Sequence, residues 1–373
     1  MVAKKNLCVL ILAAGKGTRM KSPLPKPLHI VCGIPILAHI LKAAQALGPA
    51  AIGIVVGHEA DTVVNAVKAG LPQWGITAPV VFINQTDLSG SASAVKAAEP
   101  LLQKFETIMV LNGDTPLLKA QTLVHMADVF EHNEVGALVL GVTVPNPFGY
   151  GRIIRAADGS FENIVEESDA DAETKKIAEI NSGMYIFNSK SLQTALTQLT
   201  PQGPKHEYYL TDTLALIKQM NQPVLVFAGT DYQQALGINS KAQLAEAEQI
   251  MRDRVAADLM NEGVTLVRPK EVYIDPGVKI GVDTRVCPGC YICGKTVIGK
   301  NCDIEGNVYI KDSIIGDNVT LKMGTYIEDS EVEANCQLGP YAHLRPKSVL
   351  KKGAKVGNFS EIKKSVIGEG SKV

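Results

Sequence analysis

Leu10 to His29 reads LILAAGKGTRMKSPLPKPLH, an apolar run that breaks into glycine, threonine, arginine and lysine. A strand ending in a glycine-rich turn aims backbone N–H groups outward, where they can meet an anion. The ATPase phosphate loop needs a glycine five residues before that of its Gly-Lys pair, and Leu10 stands there. The dinucleotide-binding loop needs a third glycine where Met20 stands. What remains is L-x-x-G-x-G-T-R-M followed shortly by P-K-P, with Arg19 and Lys26 as its cations. Arginine grips two phosphate oxygens at once, while lysine supplies a point charge.

That pattern resembles the signature of sugar-nucleotide pyrophosphorylases. The reaction so implied explains the residue types. A sugar 1-phosphate attacks the α-phosphate of a nucleoside triphosphate, and pyrophosphate leaves. The nucleophile is already an anion, because the second phosphate pKa is about 6, so no general base is required. The barrier is repulsion between two polyanions and charge growing on the leaving group. Fixed cations and a metal answer both. The small residues Ala13, Ala14 and Gly15 leave room for a flat base. The metal expected is Mg²⁺, which takes few protein ligands besides phosphate oxygens and water. Asp114 closes the apolar run TIMVLNGD and is the candidate ligand at a strand's carboxyl end; the plainer reading is a turn cap before Pro116.

These groups must be placed by a scaffold. The chain has 373 residues, a net charge of −1 and 46% hydrophobic residues, enough for two or three domains and ample core. Nothing marks a nucleic-acid surface, and no apolar run is long enough to span a bilayer. Seven cysteines without even spacing fit a reducing compartment, hence a cytoplasmic location. Cys287, Cys290 and Cys293 offer two C-x-x-C steps; they read either as metal ligands or as small residues in the repeats described below. The opening MVAKKNLCVLILAAG imitates a signal peptide but reads as a buried first strand, 7–14.

Further strands are expected at 51–57, 79–85, 107–114, 136–144, 180–187 and 223–229, with helix-like stretches such as 35–47 between them. Continuous Val/Ile/Leu runs suit a mostly parallel sheet covered on both faces, so residues 1–239 read as a doubly wound α/β domain. Residues 240–262 read as one connecting helix, capped by Ser240 and ended by Gly263.

From Ile274 an aliphatic residue then recurs at every sixth position, with three steps shortened to five: 280, 286, 292, 298, 304, 310, 315, 321, 327, 332, 338, 344, 350, 356, 362, 367 and 373. Hexapeptide repeats of this kind form a parallel β-helix, here of the left-handed type over 263–373. The series is still running where the sequence stops.

From Leu7 to the last residue the chain resembles the bacterial family of bifunctional N-acetylglucosamine-1-phosphate uridylyltransferases/glucosamine-1-phosphate N-acetyltransferases. The resemblance rests on GKGTRMKSPLPKPLH, whose short arginine–lysine spacing is typical of that family. GYGRI (149–153), NIVEESDA (163–170), EINSGMYIF (179–187), EYYLTD (207–212) and GINSKAQL (237–244) follow in the family's order.

It implies UDP-N-acetylglucosamine synthesis for peptidoglycan and lipopolysaccharide precursors, with UTP and N-acetylglucosamine 1-phosphate as substrates and a homotrimer as the assembly. Leu12, Ala13, Ala14 and Gly15 would bound the nucleotide, with Arg19 and Lys26 on its phosphates. Gln85 would pair with uracil beside Gly90 and Ser91. Gly151, Glu166, Asn181 and Thr211 would surround the N-acetylglucosamine, with Asn112 and Gly113 near the base and sugar. Asp114 and Asn239 would hold Mg²⁺.

Taken as plain residues, Glu166 is a loop charge and Asn181 a polar strand end. Ser93 stands where the family has histidine, and Asn112 where it often has tyrosine. Another sugar 1-phosphate, or a catalytically dead scaffold subunit, are the alternatives. Arg345 and Lys363 match substrate-phosphate contacts of the family's acetyltransferase site. That site's histidine base would follow GEGSK beyond Val373, so acetyl transfer is not expected of residues 1–373 themselves.

Overall fold

The computed structural model describes residues 4–201 and 207–373. Two units divide it: residues up to Ile30 with Ile34–Ala247, and Val31–Gly33 with Glu248–Val373.

The first unit is built on β1 (Lys4–Leu12) and, beyond the short strands β2 (Ile30–Val31) and β3 (Ile34–Pro35) that flank the Val31–Gly33 division, on β4 (Pro49–Val56), β5 (Val80–Asn84), β6 (Thr107–Asn112) and β7 (Ala137–Thr143). It continues with β8 (Arg152–Arg155), β9 (Phe161–Val165), β10 (Glu179–Asn188) and β11 (Val224–Gly229). The main sheet runs β11-β7-β10-β6-β1-β4-β5. Helices α1 (Ile36–Gln45), α2 (Ala60–Gly70), α3 (Ser91–Ala97), α4 (Glu99–Lys104), α5 (Ala120–Glu131), α6 (Ser189–Gln198) and α7 (Asp212–Gln219) lie between the strands. Leu7 to Ile11 are all buried, which is why β1 shows no polar alternation: both of its faces are covered.

Each sequence-expected strand forms, with ends shifted by up to three residues. Two features were not anticipated. β10 runs antiparallel to both β6 and β7 inside an otherwise parallel sheet. A hairpin of β8 and β9 hangs from it.

The sheet fixes where chemistry can happen. From β1 the chain builds β4 and β5 on one side, then crosses to place β6 on the other. That reversal opens a crevice at the carboxyl ends of β1 and β6. Leu12 pairs with Asn112, and Gly113 donates its N–H to the Leu12 carbonyl at 2.8 Å. A Cβ on Gly113 would lie 3.0 Å from Ala13, so only glycine allows this approach.

Helix α8 (Lys241–Asn261) is divided between the two units. Ser240 Oγ accepts from the Gln243 N–H, and the Gln243 side chain accepts from the Asn239 N–H, close to a capping box. Gly263 ends the helix with φ of 92°.

The second unit is a left-handed parallel β-helix made of three six-stranded sheets. The aliphatic series points inward and stacks in register, as in Ile274–Ile292–Ile310–Ile327–Leu344–Ile362. Leu266 adds an earlier rung outside the six-residue series, and Val373 departs from it by lying exposed beyond the last rung. The glycines that follow many rungs are required by close stacking: a Cβ on Gly281 would sit 2.6 Å from the Gly299 backbone. Among the described residues no helix is long and apolar enough to cross a membrane.

Stacked rungs share one core, so a hole in any of them is felt directly. Ile310 is fully buried, and Ile310→Ala should cost about 2–5 kcal/mol. Denaturant unfolding followed by circular dichroism checks this; an unchanged transition would mean that the column does not hold the unit together.

Candidate active site

Gly15 to Lys26 leave the end of β1 as a loop with two 3-10 turns, Thr18–Met20 and Lys26–Leu28. The Ala13 N–H bonds the Val55 carbonyl at 2.8 Å, so the small-residue stretch stays pinned to β4. Gly15 is open and makes room for a ligand. Pro25 and Pro27 bracket Lys26 and set the second turn.

The Lys26 ammonium lies 2.6 Å from Asp114 Oδ2 and 3.1 Å from Asn239 Oδ1. These residues are 88 and 213 positions away along the chain. The cation therefore binds the two oxygens that the sequence pointed to for a metal. One carboxylate and one amide oxygen are hard donors, which fits Mg²⁺ rather than a soft metal. Among the described residues no group of three or more His, Cys, Asp or Glu is gathered for a metal ion, so phosphate and water oxygens would have to complete the shell. Asp114 is held in turn by its own carbonyl, which accepts from the Ile238 N–H at 2.9 Å.

The expected sugar group also comes together. The Gly151 carbonyl accepts from the Asn181 N–H at 2.9 Å. Thr211 Oγ1 donates to Glu166 Oε1 at 3.1 Å. A Cβ on Gly151 would lie 3.1 Å from Glu166 Oε2, so that glycine faces the carboxylate. The Asn181 amide donates to the Tyr185 hydroxyl at 2.8 Å and accepts from Gly183 at 3.0 Å, which holds it rigid. Burial pushes the Glu166 carboxyl above its usual value, opposed by the Thr211 bond. Asn112 sits beside this wall, its amide reaching the Ser182 carbonyl at 3.3 Å.

On the other flank Gln85 is buried, and its amide donates to the Asp87 carbonyl at 2.7 Å and to Ser93 Oγ at 2.8 Å. The serine at the family's histidine position thus orients the glutamine expected to read the base. Ser91 Oγ accepts from the Leu210 N–H at 3.0 Å, and Tyr208 exchanges backbone bonds with Ser89 and Ala92. Residues 208–211 therefore tie the Gln85–Ser93 loop to the Glu166–Thr211 wall. Sequence reasoning gave a role only to Thr211 in that stretch, although EYYLTD was the available signal.

Arg19 is not brought into the cluster; it lies exposed on its turn, with no partner among the described residues. In the β-helix, Arg345 pairs with Glu361 at 3.0 Å, and its N–H bonds the Ile362 carbonyl, next to exposed Lys363. Cys290 is buried in the prism with its thiol on the Glu305 carbonyl, while Cys287 and Cys293 are half-buried. All three thiols are raised by burial, Cys290 and Cys293 to about 11.

With this geometry in hand, the relatives are informative. Residues 9–205 match the MobA-like NTP transferase domain and residues 269–367 the GMPPB C-terminal domain. The bifunctional protein GlmU of Clostridioides difficile is 43% identical over 367 residues, covering 98% of this chain and 78% of that protein. Those of Syntrophomonas wolfei and Streptococcus suis are 41% and 39% identical, with this chain covering 80% and 78% of their lengths. The chain belongs to the GlmU family. This chain carries a nucleotidyltransferase domain and a β-helix. The Lys26–Asp114–Asn239 cluster and the Glu166–Thr211 wall both lie inside the first of them.

The raised Glu166 pKa has a thermodynamic consequence. Below its ordinary value of 4.5 the carboxyl is protonated in both folded and unfolded chains. As pH rises through the folded pKa, the folded state loses stability because it resists ionisation. Glu166→Gln should therefore match the native melting temperature near pH 4 and exceed it at pH 7–8. Parallel melting curves across that range would mean that the carboxylate is fully solvated.

Proposed function

We propose that this chain transfers uridylyl from UTP to N-acetylglucosamine 1-phosphate, releasing pyrophosphate and forming UDP-N-acetylglucosamine for cell-wall precursor synthesis. The observation that carries this reading is the Lys26 ammonium bonded to both Asp114 and Asn239 at the crevice of the sheet.

The sugar phosphate oxygen attacks the α-phosphorus. The bond from that phosphorus to the bridging oxygen breaks, and pyrophosphate leaves with the electron pair. The nucleophile is already charged, so no residue needs to take a proton. The Ala13–Gly15 backbone lies flat against the base, and Gln85 presents an amide to the uracil edge. Lys26 and Arg19 offset the charge of the triphosphate; Arg19 is exposed and free to fold over it. Glu166, Thr211, Asn181 and Gly151 orient the sugar. Asp114 and Asn239 would hold Mg²⁺, which when bound draws charge from the phosphate oxygens. Lys26 holds those same two oxygens here, and its ammonium would be available to phosphate wherever they served the ion instead.

Pyrophosphate release with UTP against a panel of sugar 1-phosphates tests the function. N-acetylglucosamine 1-phosphate should give the highest kcat/KM. Asp114→Asn should lower turnover by about two orders of magnitude or more while leaving folding intact. Preference for another sugar would overturn the substrate, and near-normal turnover of the variant would overturn the metal site.

The assembly we propose is a trimer of parallel β-helices. It is supported by one prism face on which Tyr273 stacks on Tyr291 at 4.2 Å, and Tyr309 on Tyr326 at 4.4 Å. Tyr291, Met323 and Tyr341 are 42%, 44% and 49% exposed, unusual for such side chains on a solvated surface. Light scattering should give about three times the mass of one chain. A stable monomer that still makes product would reject the trimer alone.

A further inference from the structure

Arg152 is the largest fully buried side chain, 1% exposed. A guanidinium in such a place is costly unless its charge and donors are met, and a well-packed apolar residue of similar volume is often as stable. Its partners show what it holds in place. Nη2 lies 2.8 Å from Glu167 Oε2 and 3.4 Å from the Lys175 carbonyl. Nη1 donates to the Tyr150 carbonyl. Nε has no partner among the described residues. Glu167 is half-buried, and besides Arg152 it accepts from the Gly149 N–H at 3.2 Å. One fork thus binds three stretches: the 149–151 turn, the chain leaving β9, and the 174–176 turn.

Each end of this ion pair is the immediate neighbour of a sugar-wall residue. Gly151 precedes Arg152, and Glu166 precedes Glu167. Gly151 and Glu166 face each other closely, and Arg152 lies opposite Val165 in the β8–β9 ladder. Apart from the Arg152–Glu167 pair, the Gly149–Glu167 bond and the edge pairing of β8 to β10, the turn and the strand exit are joined by the backbone bonds of a two-strand hairpin. Such hairpins are weakly specified by themselves. Glu166 itself bonds to Thr211 and not to the hairpin's other strand. The planar fork, with donors in fixed directions, sets the separation between the two sides.

We propose that Arg152 and Glu167 are positioning residues that set the width of the sugar pocket by fixing Gly151 against Glu166. This rests on the reading of that wall as the sugar phosphate site. The pair touches neither the base loop nor the Lys26 cluster, so its effect should be confined to the sugar.

The test uses the full chain with Arg152→Met and Glu167→Gln, assayed with UTP and with whichever sugar 1-phosphate the unmodified enzyme prefers. In both variants the KM for the sugar phosphate should rise about tenfold, with the KM for UTP within about twofold. Isothermal calorimetry, which needs no turnover, should show UDP binding unchanged and binding of the UDP-sugar product weakened to the same degree. A purely structural role would lower the melting temperature and leave both KM values alone; that result, or a parallel rise in both, overturns the proposal. If Arg152→Met does not fold, Glu167→Gln at its half-buried position decides alone. A preference of the unmodified enzyme for a different sugar would refute the substrate assignment, while the split between sugar and UTP would still judge the ion pair.

Discussion

Leu12 pairs with Asn112 across the parallel β1–β6 ladder, and the catalytic unit depends on that alignment. It places the phosphate loop and Asp114 at the same end of the sheet, side by side. A one-residue slip would exchange the side chains of β1 between two packed faces, so each would meet a space shaped for its neighbour. The apolar residues on both faces of β1 therefore hold the site in register as firmly as they hold the core. Gly113 completes the arrangement, since any side chain there would collide with the strand end it must approach.

The electrostatics follow from that placement. Two polyanions must be brought together, so the crevice carries cations and hard oxygen donors rather than an acid–base pair. Lys26 spans Asp114 and Asn239, which gives each of the three side chains a partner of opposite polarity. At the Glu166–Thr211 wall the logic reverses. Glu166 is a carboxylate drawn out of water, its desolvation offset only partly by one hydroxyl. Such a group gains most when a ligand's hydroxyls replace the lost water. In the proposed function that ligand is the sugar phosphate.

The β-helix obeys a simpler rule. Each rung is too short to bury itself, so stability comes from stacking on its neighbours. Aliphatic residues fill the prism, glycines allow the backbones to close at corners, and aromatic rings stack along one face. Asn and Asp take the left-handed corners, as at Asn301, Asn307, Asn318 and Asp329. Their short polar side chains tolerate positive φ better than other non-glycine residues do.

Much of this was legible along the chain. The six-residue period announced the β-helix because its inward-facing positions repeat locally. The apolar runs announced buried strands for the same reason, and the Gly15–Lys26 stretch carried its phosphate chemistry in residue type and spacing. The tertiary structure alone decided which distant segments meet. No local pattern shows that β10 inserts antiparallel between β6 and β7, or that Lys26 reaches Asn239. The turn at Cys32 and Gly33 is grouped with the second unit, where Glu248 accepts from the Cys32 N–H at 2.6 Å. Arg152 looks like a surface charge in GYGRI, and only the closure of the 174–176 turn and Glu167 over it makes it a buried one. Periodicity records how each residue faces its own neighbours. The choice among long-range partners is made by the packing of the whole core, which no short stretch of sequence contains.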